Sequence, residues 1–318
     1  MSIFKLDPAF KDYIWGGTRL RDEYGKNCDY DKVAESWELS CHKDGPSVVA
    51  EGEYKGLTLN EYIEKAGKGV LGKNCERFEN FPILIKLIDA KDNLSVQVHP
   101  DNDYAMRVEG EYGKTEMWYV VDCDEGATLL YGFKHEITKE EFARRIADNT
   151  LLEVTNAVPV KKGDVFFIKS GTLHAIGKGI LIAEIQQNSN TTYRIYDYGR
   201  VGKDGKPREL HVNKALDVTK LAPAEQYPET PVEKKDGYDI KLLSKCEYFT
   251  TYRVNVETKA ELDADENSFN SILVLEGEPV ISGGETVSAK KGESVFISAG
   301  TGKYTVEGKC TFVLTKID

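Results

Sequence analysis

The chain has 318 residues, 40% hydrophobic and 30% charged, with a formal net charge of −11 at pH 7. That balance describes an ordinary globular protein and argues against nucleic acid or an anionic membrane as a main partner. An anionic ligand would need a local basic pocket set against the overall field. Six cysteines (28, 41, 75, 123, 246 and 310) form neither a CxxC pair nor a short disulfide framework, which reads as a reduced, cytoplasmic protein. The start, MSIFKLDPAF, has no apolar signal core, and the strongest apolar stretch, 81–88, is short and interrupted by Lys86. No membrane span is expected.

Near the start, Trp15, Gly16 and Gly17 read as a tight turn packing an indole. Thr58 with Glu61 forms a capping box, flanked by Leu57 and Tyr62 as a staple, and predicts a helix through about Lys65. The stretch LSVQVHPD places Ser95, Gln97 and His99 on alternate positions with Val96 and Val98 between them. As a strand it turns three polar side chains to one face, which is costly to bury unless something holds them. In GKTEMWYVV, Lys114, Glu116 and Trp118 alternate in the same way. Thr138 with Glu141 predicts a second helix, with Phe142 and Ile146 as its apolar face, and a Ser-Gly-Thr turn then delivers His174 at the start of a strand. A third helix is expected over VNKALDV, after His211.

Short β-rich runs broken by glycine turns fill most of the rest, so the fold is expected to be mainly β, an antiparallel sandwich or barrel with a few short helices. Three prolines and many charges mark 222–237 as a domain boundary. KGDVFFIKSGTLHAIG, from Lys162, lines up without gaps on the stretch from Lys291 at a separation of 129, which indicates a duplicated β unit. In the second copy Lys303 stands where His174 stands in the first.

Two histidines, one carboxylate and an amide oxygen from separate β runs make an N/O donor set that suits zinc, and also iron, manganese, cobalt or nickel. A metal would hold the polar face of 95–99. Taken singly, each of these residues is as readily a hydrogen-bonded structural group. Two nucleotide-site decoys fail: VEGEYGKT has Val108 where a P-loop needs glycine, and GKGVLGKN ends in Asn74. His42, His135 and His211 have no partner motif and are expected as surface or capping groups.

The β repeat resembles the cupin fold, a jelly-roll barrel. NLSVQVHPD, GKTEMWYV and SGTLHAIGKGILIAEIQQNSNTTYRIYDYGR, with IWGGTRL and AESWELS upstream, resemble type I mannose-6-phosphate isomerase in its short bacterial form, from about Ile14 to His211. The resemblance implies a catalytic cupin domain over 1–221 and a degenerate cupin-like domain without metal ligands over 238–318. It implies one zinc held by Gln97, His99, Glu116 and His174, phosphate contacts from Ser95 and Lys114, and an essential Arg194. The implied reaction interconverts mannose 6-phosphate and fructose 6-phosphate through an enediol(ate). The implied partner is thus a small sugar phosphate, with no nucleic acid and no membrane, and the oligomeric state is left open. Lys114, Glu184 and metal-bound water are the candidates for the base, with Lys114 and Arg194 as catalytic cations. Two other readings are a cupin metal oxygenase, since two histidines and a carboxylate also hold Fe(II), and a non-catalytic sugar-binding cupin. Lys114 and Arg194, which a neutral substrate does not require, weigh against the first.

Overall fold

Alternating side chains decide which way each strand faces. The computed structural model describes residues 2–202 and 205–318, and their strands form four antiparallel sheets of eight, six, five and four strands. The six-stranded sheet is ordered Val165–Ile168, Glu116–Cys123, Ile180–Gln187, Ile83–Ala90, Glu35–Leu39 and Ala9–Lys11. The five-stranded sheet is ordered Tyr193–Tyr196, Val96–Val98, His174–Ala175, Thr128–Phe133 and Thr155–Pro159. Together they make the first barrel.

The central strands of the six-stranded sheet are buried on both faces, which is why they read as continuous apolar runs. Ile83, Ile85, Leu87, Met117, Tyr119, Leu181, Ala183 and Ile185 pack into a core shared with Phe269, Phe296 and Val313 of the second half. The alternate positions, including Ile88, Trp118, Val120 and Ile182, face the inside of the first barrel. Lys86, Glu116 and Glu184 belong to that inner face by the same period of two.

The second half repeats the pairing. Glu116–Cys123 lies between Val165–Ile168 and Ile180–Gln187, just as Asn270–Gly277 lies between Ser294–Ile297 and Cys310–Lys316. Val165–Ile168 and Ser294–Ile297 correspond at the separation expected from the sequence. The second barrel is filled with Val254, Ile272, Val274, Ile281, Val295, Val306 and Phe312. Lys303 is exposed, whereas its counterpart His174 is buried. The N-terminal strand Ile3–Asp7 joins the eight-stranded sheet of the second half, pairing with Ser294–Ile297. Within 222–237 the short strand Val232–Lys234 forms the outer edge of that sheet.

The helices follow their caps. Leu59–Ala66 starts from the reciprocal Thr58–Glu61 capping box. Lys139–Ala147 starts from Thr138, with Phe142 fully buried beneath it, and Val212–Val218 follows His211. A further helix, Asn102–Val108, is capped by Asp101, whose carboxylate accepts from the Tyr104 N–H at 2.9 Å. The sequence reading lacked it. The Asp after Pro100 was its signal. Among the described residues, no helix is long and apolar enough to cross a membrane.

The Trp15-Gly16-Gly17 turn has a steric cause. A Cβ on Gly16 would lie 2.4 Å from that of Ala34, and one on Gly17 would lie 2.3 Å from an Asp89 oxygen. The two glycines let the chain bridge to Ala90 and Val33, and so deliver Trp15 to the wall of the cavity described next.

Candidate active site and metal centre

Strand register brings the site together. In the five-stranded sheet Gln97 is opposite His174 on one side and Arg194 on the other. In the six-stranded sheet Glu184 is opposite both Lys86 and Trp118, and Gln186 is opposite Glu116. One nitrogen each from His99 and His174 and one oxygen of Glu116 lie within 4.8 Å of one another, and all three residues are buried.

The hydrogen bonds around this cluster fix its chemistry. His99 Nδ1 is 2.9 Å from the Thr191 carbonyl and His174 Nδ1 is 2.8 Å from the Thr172 carbonyl. A carbonyl only accepts, so each Nδ1 carries the proton and each Nε2 presents a lone pair. Those two Nε2 atoms face each other at 3.2 Å. Glu116 Oε1 is 3.3 Å from His174 Nε2, and Oε2 is 3.7 Å from His99 Nε2 and 3.1 Å from Lys114 Nζ. Burial pushes the His99 imidazole well below its ordinary range and the His174 imidazole down to about 4, so both are neutral. Burial, with the nearby Glu184, pushes the Glu116 carboxyl up to about 8. Two Nε2 lone pairs and a buried carboxyl converging on one point are complementary to a cation, which would hold Glu116 ionised where burial alone favours its protonated form, and carbonyl acceptors behind each imidazole are the usual outer support of a metal site. These residues therefore fit a divalent metal. The Gln97 amide is 3.4 Å from His174 Nε2, close enough to be a fourth donor once its oxygen is turned inward.

Beside the cluster is a cavity of about 240 Å³. Ser95, Gln97, Lys114, Glu184 and Arg194 line it, as do Tyr13, Trp15, Glu35, Lys86 and Arg208. All the residues singled out from the sequence thus meet at one place, either at the cavity wall or in the adjoining buried cluster. Lys114 joins the two, with Nζ 3.1 Å from Glu116 and 3.8 Å from Glu184. Arg194 Nη1 donates to the Glu209 carbonyl at 2.9 Å, and its buried Nε has no partner. Burial lowers its guanidinium from the usual value, and so does the nearby Arg208. Among the described residues, Arg194 does not donate to Asp197, three positions along the chain. Asp197 instead accepts from Arg200 and Arg208.

Lys86, Glu35, Tyr13 and Arg208 escaped the sequence reading. Lys86 is 3% exposed, with Nζ 3.5 Å from Glu35 and 3.4 Å from Glu184. Its signal was a lone charge inside an apolar strand. Glu184 also accepts from Trp118 Nε1 at 2.8 Å, and Lys114, Lys86 and this bond together hold its carboxyl below the usual range despite burial. Of the three histidines expected as surface or capping groups, His135 is exposed and His211 sits at a helix start. His42 is a correction. It is 4% exposed and bonded to Glu111, 69 positions away, so no local motif announced it.

Comparison with known proteins agrees with this geometry. Residues 3–126 match the family described as phosphomannose isomerase type I, catalytic domain, and residues 239–317 match the mannose-6-phosphate isomerase cupin domain. Mannose-6-phosphate isomerase ManA of Bacillus subtilis is 39% identical over 312 residues, covering 98% of this chain and 97% of the relative. A mannose-6-phosphate isomerase of Streptococcus mutans is 40% identical over 291 residues, covering 89% and 88%. The crystal structure of a mannose 6-phosphate isomerase from Bacillus subtilis superposes with a TM-score of 0.93 at 38% identity, covering 99% of both chains. These matches set aside the oxygenase and the non-catalytic readings. The chain belongs to the type I mannose-6-phosphate isomerases, built on duplicated cupin barrels.

Proposed function

We propose that the chain interconverts D-mannose 6-phosphate and D-fructose 6-phosphate at the cavity beside His99, Glu116 and His174, with one zinc held by these three residues and Gln97. The convergence of two unprotonated Nε2 atoms and the buried Glu116 carboxyl within 4.8 Å of one another carries the metal assignment. When bound, such an ion supplies Lewis-acid stabilisation to the substrate oxygens.

The chain's own residues supply the rest. The phosphate needs cations in a protein of strong negative charge, and Lys114 with the Ser95 hydroxyl reads it at the cavity wall. Arg194 faces the charge that develops on O1 and O2 as the enediolate forms; a guanidinium stays protonated and so serves as a stabiliser rather than a base. Glu184 is held in its ionised form by Lys114 and Lys86, whose ammonium groups face its Oε1, and it lines the cavity. It takes the C2 proton and returns it to C1, the O2 hydroxyl proton passing to O1 in the same exchange, while Trp118 holds its other oxygen. Six free cysteines agree with a reducing cytoplasm.

The test is a coupled assay of mannose 6-phosphate turnover with parallel metal analysis. Activity should vanish on chelation and return with zinc at one ion per chain. Full turnover by metal-free protein would refute the assignment.

A further inference from the structure

Beside the loop that carries Thr191 lies a second polar network, which none of the chemistry above uses. Its centre is Glu111, in the loop after the helix Asn102–Val108. Glu111 Oε2 accepts from the Asn190 N–H at 3.1 Å, from Thr191 Oγ1 at 2.9 Å and from Ser189 Oγ at 3.3 Å. Its Oε1 lies 2.9 Å from His42 Nε2. The Asp44 N–H donates to His42 Nδ1 at 3.1 Å, so Nδ1 is the acceptor and Nε2–H donates to Glu111. His42 packs edge-on against Trp37 with ring centroids 5.7 Å apart, which fixes its plane. Four donors therefore hold one carboxylate, and three of them come from consecutive residues of a single loop.

That loop carries the metal's outer support. The Thr191 carbonyl accepts from His99 Nδ1, and the same segment sends Asn190 and Thr192 to the cavity wall. Asn190 is tied again by its amide to Asp44 at 2.9 Å. A loop carbonyl can orient an imidazole only if the loop has one position, and a loop of Ser, Asn and Thr has no apolar side chain to set it.

We propose that Glu111, oriented by His42, is a positioning residue for the metal centre: it fixes residues 189–191, and through the Thr191 carbonyl it sets the direction of the His99 Nε2 lone pair. The inference rests on the metal reading above. It also accounts for a histidine and a glutamate that local sequence gave no reason to join. The low-lying Glu111 carboxyl, held at about 2 by His42, Asn190 and Thr191 against the effect of its burial, agrees with a permanent anion there.

The experiment compares zinc affinity, by competition with a chromophoric chelator, in the full-length parent, Glu111→Ala, Glu111→Gln and a control, Thr58→Ala. The control removes a helix cap whose side chain bonds to Glu61, and so reports general destabilisation without touching Glu111 or residues 189–191. Removal of an outer-shell partner typically weakens metal affinity 10–100-fold, so Glu111→Ala should bind zinc at least about tenfold more weakly. Glu111→Gln, which keeps the shape and some of the acceptors, should fall between it and the parent, and Thr58→Ala should match the parent. Should Glu111→Ala fail to fold, Glu111→Gln decides alone. Parent-like zinc affinity in the folded Glu111 variants overturns the positioning role while leaving the metal site standing. A parent protein that binds no zinc overturns the metal reading itself.

Discussion

Lys86→Met tests whether the wall of the site is held by charge or by packing. Methionine keeps most of the aliphatic stem and removes only the ammonium. In the parent that ammonium lies 3.5 Å from Glu35 and 3.4 Å from Glu184, and it is 3% exposed. At an effective dielectric of about 20 each such pair attracts by about 5 kcal/mol, much of it offset by desolvation. Removing one partner of a buried pair costs about 3–5 kcal/mol, because the other charge is left uncompensated. The lower end applies here. Glu184 keeps Trp118 and Lys114, and Glu35 keeps Trp37 Nε1 at 2.7 Å. We expect about 3 kcal/mol near pH 8, measured by urea unfolding of chelator-treated protein so that metal binding does not enter.

The sign of the pH dependence follows from Glu184. In the parent its folded carboxyl lies below the usual value, so it adds stability that is present above about pH 4.3 and lost as pH falls through the folded value. Without Lys86, burial dominates and the carboxyl rises above its unfolded value. The variant then loses stability as pH rises through that raised value and is spared below it. The cost of the substitution should therefore shrink between pH 8 and pH 5. A cost under about 1 kcal/mol at pH 8, or one unchanged at pH 5, would refute the reasoning.

Three further outcomes concern turnover and binding. His174→Ala should lose its metal by elemental analysis, whereas Lys303→Ala, at the matching position of the second barrel, should leave metal content unchanged. Lys114→Met should weaken substrate and inorganic phosphate by about 1.5–3 kcal/mol, or about 10–100-fold. Intact phosphate inhibition with lost turnover would move Lys114 from the anchor to the proton transfer. Arg194→Ala should lower kcat by about 10²–10³ with a small change in KM and full metal content, and Arg194→Lys should recover part of it. A near-normal kcat in a metallated Arg194→Ala protein would remove this arginine from the mechanism.

What the sequence showed, and what it hid, divides along local and non-local lines. Ser95, Gln97 and His99 could be read as one face because a strand's period is two and the intervening valines mark the other face. The capping boxes likewise lie within four residues of one another. Lys86, Glu35 and Glu184 could not be joined in this way. Their meeting depends on the register of three strands far apart in the chain, and each sits in a run whose apolar neighbours suggest burial without naming a partner. His42 and Glu111 are the extreme case, since neither has a motif and only the folded loop explains both. Arg194 shows the converse. Closeness in sequence would pair it with Asp197, yet Arg200 and Arg208 occupy that carboxylate.

The strand Ile3–Asp7 can take its full place only after the second barrel has been made. Its partner along most of its length is Ser294–Ile297, so during synthesis it waits for nearly the whole chain to emerge. Until then Phe4 and Leu6 are without much of the core that buries them, and an apolar strand with open edges is an invitation to pair with the wrong chain. Closure of so long a loop is slow. A ribosome-bound chain stopped at 221 should therefore be a substrate for chaperones, and the first barrel expressed alone should aggregate, since its six-stranded sheet also loses the core it shares with Phe269, Phe296 and Val313.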